Sequence, residues 1–196
     1  MSFVNVILVK RLMEDFISER LQGLILAFTT SPSIEAWLWT AGILLLLAVV
    51  VLPIGFRTGF LRVEPMAGGH GRFVLIALTL IIRPSLIEEL IFRILFVPHP
   101  AQGYPPRITL LWAGVGLFLF IVFHPINGLF VRKGARLLFT DPLFLVFAGL
   151  LGIGCTAAYL ISGSIWPPMI IHWVAVTPWI LLLGGGNALF LKGNAR

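Results

Sequence analysis

Residues 73–97 read FVLIALTLIIRPSLIEELIFRILFV. The stretch exceeds the roughly 20 apolar residues that a helix needs to cross a bilayer. Deep within it stand Glu88 and Glu89, with Arg93 one turn beyond. Each ionised group at the centre of such a span costs about 2.5–3.5 kcal/mol on insertion scales, so buried acids there are rare and need a compensating role. On a helix Glu89 and Arg93 lie four apart, share a face and pair in the favourable acid-before-base order. Glu88 is turned about 100° from its neighbour and points elsewhere, which leaves it free to act as a proton-accepting base. The competing reading is a structural ion network that ties helices together. Arg83 fits that role best, because it precedes Pro84 and can satisfy carbonyls that the ring leaves free.

Composition sets the class. Of 196 residues, 59% are hydrophobic and 11% charged, and the mean hydropathy is +1.02, so a water-soluble domain would lack the polar side chains to cover its surface. An integral, multi-pass membrane protein is expected. The net charge of +6 then belongs at lipid interfaces, where Lys and Arg collect, and nucleic acid is excluded as a partner. The single cysteine, Cys155, allows no intrachain disulfide and reads as a small buried hydrophobe. No cleavable leader pattern opens the chain, so insertion is expected to rely on the spans themselves.

Five segments have spanning length: 36–56, 73–97, 108–131, 142–161 and 166–189, the third and fifth interrupted by proline. The expected fold is an all-α polytopic bundle of about five spans over residues 34–196. A membrane-surface segment, 1–33, precedes it. Within that segment Leu8, Leu12, Phe16 and Leu21 recur at helical spacing opposite Lys10, Arg11, Glu14 and Glu19, the pattern of an amphipathic helix lying on the bilayer. Arg57, Arg62 and Arg72 fall in the first connection, Arg132, Lys133 and Arg136 in the third, and Lys192 and Arg196 in the tail. The second connection has Arg107 alone. By the positive-inside rule the first and third connections and the C-terminus are cytoplasmic, with the N-terminal helix on the far side. Ala148, Gly152 and Thr156, four apart, form a small-residue stripe for close helix packing.

Two histidines add to the buried polar groups. His124 closes the run FLFIVFH and His172 lies in PPMIIHWVAV, whereas His70 and His99 sit beside Gly and Pro in connections and are expected to be solvated. Counting about 1.5 Å per residue from the outer span ends puts Glu88 about 13 Å deep, His172 about 10 Å and His124 about 24 Å. A start of the third span near Trp112, or a tilt, would bring His124 to the level of the others.

Glu88-Glu89-Leu-Ile-Phe-Arg93 matches an EExxxR motif and Phe120-Ile-Val-Phe-His124 an FxxxH motif. In this order and separation, with His172 at the place of a third motif, the chain resembles the CAAX protease and bacteriocin-processing (CPBP, or Abi) family of intramembrane endopeptidases over roughly residues 75–183. The resemblance implies hydrolysis of peptide bonds in peptide or membrane-protein substrates. It implies Glu88 as the base that activates water, His124 positioning that water, and His172 donating to the developing oxyanion. Glu89, Arg93 and Phe120 would support them. The family's third motif carries a second donor four residues after its histidine, where this chain has Val176; Asn127 and Thr177 are the nearby substitutes.

No cofactor or metal is expected. Zinc held by Glu88, His124 and His172 is the enzymatic rival, although no HExxH run is present. A non-catalytic scaffold, chaperone or assembly subunit that retains the fold within a larger membrane complex is the rival from another class, and Val176 favours it.

Overall fold

The computed structural model describes residues 3–190. Lys192 and Arg196, on which the cytoplasmic tail was inferred, lie outside the described residues. The chain is helical throughout: α1 Phe3–Thr29, α2 Ile34–Thr58, α3 His70–Leu80, α4 Ile87–Glu89, α5 Pro106–Ile126, α6 Arg136–Phe139, α7 Pro142–Ser162, α8 Trp166–Leu182 and α9 Gly185–Phe190. Wide π-type turns, Ile81–Leu86 and Leu90–Ile94, flank α4, and a third, Asn127–Val131, prolongs α5.

In lipid, backbone polar groups must be satisfied within the protein, and the helix ends reflect this. Ser33 caps α2 by accepting from the Ala36 amide at 3.2 Å. Asp141 caps α7 by accepting from the Leu143 and Phe144 amides at 2.7 and 3.3 Å, with Pro142 preset in the first turn. Gly163 ends α7 in the left-handed region, φ 62°, where a Cβ would be strained.

Three helical stretches are long and apolar enough to cross a membrane, Ile34–Thr58, Pro106–Val131 and Pro142–Ser162. The other two expected spans differ from their reading. The second is no continuous helix, because Arg83 takes an extended conformation (φ −129°, ψ 110°) ahead of Pro84, whose ring disfavours the helical region in the residue before it. The fifth stops at Leu182, short of 189. Pro178 weakens its last turns, and Gly184 turns the chain at φ 87°. The freed end of α8 instead receives the first connection, with the Glu64 and Met66 amides donating to the Leu182 and Leu181 carbonyls at 3.0 and 2.9 Å.

Docking of α1 relates the connections to one another. Arg20 Nη1 donates to the Phe96 carbonyl at 3.0 Å, Gln102 Nε2 to the Glu19 carbonyl at 2.8 Å, and the Ile165 amide to the Ala27 carbonyl at 3.0 Å. Tyr104 donates to the Glu19 carboxylate, and that bond raises the phenol pKa above its ordinary value. The second and fourth connections, both poor in basic residues, therefore lie together beside the end of α1. His99 belongs to this arrangement and is not solvated as expected. It is buried, its Nδ1 accepts from the Ala101 amide at 3.1 Å, and its Nε2 therefore donates to the Gly163 carbonyl at 2.6 Å.

Candidate active site

The break in the second span delivers the glutamates to the centre of the bundle. Glu89 and Arg93 are both fully buried, and Arg93 Nη1 donates to Glu89 Oε1 at 3.2 Å, as the four-residue spacing requires. The guanidinium also lies 4.2 Å above the Phe120 ring, a cation–π contact that partly replaces lost hydration. Small residues make room for it. A Cβ at Gly152 would lie 3.0 Å from Arg93 Nη2 and 2.6 Å from Leu117 Cδ1, and one at Gly116 would run into the Phe92 carbonyl oxygen. The stripe on α7 thus packs helices and also shapes the wall around a buried charge.

His172, on α8, joins the same carboxylate. Its Nδ1 lies 2.6 Å from Glu89 Oε1, and its Nε2 lies 3.8 Å from Glu88 Oε2. An ionised Glu89 only accepts, so Nδ1 carries the proton and Nε2 faces Glu88. Glu88 has no arginine partner; its side chain is 17% exposed and borders a partly open cavity of about 1350 Å³. His124 and Asn127 border the same cavity from α5 and its continuation. His124 Nδ1 donates to the Phe120 carbonyl at 2.8 Å, so in the neutral ring Nε2 holds the free lone pair. Four aromatic rings, Phe120, Phe123, Phe139 and Phe144, surround that imidazole with centroids 4.9–6.0 Å away.

Glu88, Phe120, His124, Asn127 and His172 accordingly line one cavity, with Glu89 bonded to His172 and Arg93 bonded to Glu89. The third helix nevertheless begins at Pro106 and not near Trp112. Val176 also lines the cavity, and it offers no donor. Thr177 does not line it, and its hydroxyl is buried without a partner among the described residues. Arg83 departs from expectation: it is exposed, borders the cavity, and forms no bond to the carbonyls it was expected to satisfy. Arg132, from the third connection, borders the cavity too and was read only as a topology signal.

Among the described residues the potential metal ligands that lie within 4.8 Å of one another are Glu89, Cys155 and His172, a set sharing only His172 with the expected zinc trio. Arg93 already supplies a positive charge to Glu89 there, and the Cys155 thiol is fully buried 3.5 Å from the Pro168 carbonyl.

The family model described as type II CAAX prenyl endopeptidase Rce1-like matches residues 70–177, more than half of the chain, from the start of α3 into α8. No curated protein and no solved structure matches the chain. The buried glutamate pair, the paired arginine and the two histidines all fall within the matched residues, and the chain belongs to the Rce1-like family of type II CAAX prenyl endopeptidases.

Proposed function

We propose that this integral membrane protein is an intramembrane endopeptidase that hydrolyses a peptide bond with a water activated by Glu88. The observation that carries the reading is the split between adjacent acids: Arg93 and His172 hold Glu89 fully buried, while Glu88 faces a cavity bordered by His124. Glu88 takes a proton as the water oxygen bonds to the carbonyl carbon, and the carbonyl oxygen becomes an oxyanion. The C–N bond then breaks, and the proton passes to the departing amine. His124 Nε2, with its free lone pair, accepts a hydrogen bond from the same water and aims it. His172 stands next to Glu88, its ring held by the Glu89 carboxylate on Nδ1, and its Nε2 edge serves the oxyanion. Membership of the family implies a peptide or membrane-protein substrate.

A comparison of membranes from cells carrying wild type and Glu88→Ala tests this reading. Substrates accumulate uncut with the variant, and His124→Ala reproduces the effect; cleavage surviving in both variants contradicts it. Activity lost on chelation and restored by zinc would move the assignment to the metal alternative.

Val176 supports a second reading, a scaffold or assembly subunit without peptidase activity, because valine lines the cavity where the family carries a donor. Val176→Asn separates the two readings. In an enzyme with a weakened oxyanion site, the added donor raises the turnover number by about tenfold or more. In a scaffold, no cleavage appears in either protein.

A further inference from the structure

Arg83 and Arg132 both border the cavity, and neither enters an ion pair among the described residues, whereas Glu89 has Arg93 and His172, and Glu88 has His172; of the two arginines, Arg83 is the one that lies within the apolar stretch 73–97. A cation in so apolar a stretch, bordering a cavity and without a protein partner, points to a ligand as its partner. The surroundings of Arg83 define what that ligand is. Along α3 and its continuation, Arg72, Leu75, Ile76, Thr79, Leu80 and Arg83 all border the cavity, a helical stripe with a guanidinium at each end. Arg72 is tied to the Ala67 carbonyl at 2.8 Å near the start of the helix, and Arg83 stands at the inner end.

Another part of the wall comes from α2 and is aliphatic: Leu44, Leu47, Ala48 and Val51 present no polar group. An extended peptide laid on that wall would leave its amides and carbonyls unpaired, whereas a hydrocarbon chain loses nothing there. The cavity also opens at an apolar part of the protein surface, since Leu45 on α2 and Leu75 on α3 both border it while 66% and 65% exposed. We infer that this cleft takes an anionic phospholipid from the bilayer, its acyl chain along α2 and its phosphate on the guanidinium fork of Arg83. Arg83 has no part in the hydrolytic steps above, but the cleft is continuous with the cavity that Glu88, His124 and His172 line, so lipid retention is read without a cleavage assay.

Native mass spectrometry of the full chain in detergent, offered equal amounts of dioleoyl phosphatidylglycerol and dioleoyl phosphatidylcholine, tests the site. Wild type retains the anionic lipid by about tenfold over the neutral one, the scale of a single strong charged contact. Arg83→Gln removes most of that preference, and Arg107→Gln, at a basic residue outside the cavity, keeps it. Ala48→Trp, which fills the aliphatic wall, lowers retention of the anionic lipid and decides the matter should Arg83→Gln fail to fold. The inference is overturned by equal retention of the two lipids in wild type, by an unchanged preference in folded Arg83→Gln, or by equal losses in Arg83→Gln and Arg107→Gln. It is also overturned if a peptide with a free C-terminal carboxylate displaces the lipid while its amide does not, since Arg83 would then belong to a peptide.

Discussion

Glu88 and Glu89 are neighbours in the chain and opposites in environment. One carboxylate is locked by an arginine and a histidine with no exposure, and the other faces a cavity. Removing the lock has a defined cost. Arg93→Met leaves the buried Glu89 carboxylate with His172 as its one partner, and breaking such a buried pair destabilises by about 3–5 kcal/mol. Thermal unfolding in detergent should show a large drop in melting temperature, whereas Glu88→Gln, at a partly exposed acid without a guanidinium partner, melts close to wild type. The Glu89–Arg93 pair was legible in the sequence because a helix fixes which residues lie four apart. The bond from His172 to Glu89 was not legible, for it joins residues 83 positions apart and depends on how α8 meets the broken span. His99 was misread for the same reason: its partner, the Gly163 carbonyl, lies 64 residues away, and no local signal marks the contact.

At the scale of elements, the packing of α5 against α7 depends on glycine. A side chain at Gly152 meets Leu117, Phe120 and Arg93 at once, and both Phe120 and Arg93 are fully buried. Gly152→Val therefore costs about 1–3 kcal/mol through overpacking. Gly114, which has nothing within 4 Å of an added Cβ, supplies the control. Gly114→Val should unfold close to wild type in the same assay, and equal losses at the two positions would contradict the packing account. Both departures from the expected spans had local signals. The Arg83–Pro84 pair marks the break in residues 73–97, and the glycines 184–186 mark the stop after α8. Hydropathy hid them, because the flanking residues stay apolar on both sides of each break.

For the whole molecule, connectivity places the first and third connections together at one end of the bundle and the second and fourth at the other, where α1 docks. The basic residues gather in the first pair, so we propose that this end is cytoplasmic. A membrane-impermeant maleimide added to intact cells checks it: Ala101→Cys is labelled from outside and Lys133→Cys only after the membrane is opened. The reverse pattern inverts the topology without changing the site.

The cleavage rate of purified protein in vesicles, measured on a peptide substrate for wild type and Glu88→Gln side by side, tests the central claim most directly. The amide keeps the shape of the side chain and cannot accept the water proton, so the rate falls by about 10²–10⁴-fold while the melting temperature stays near that of wild type. Equal rates in the two proteins would contradict the assignment of Glu88 as the base.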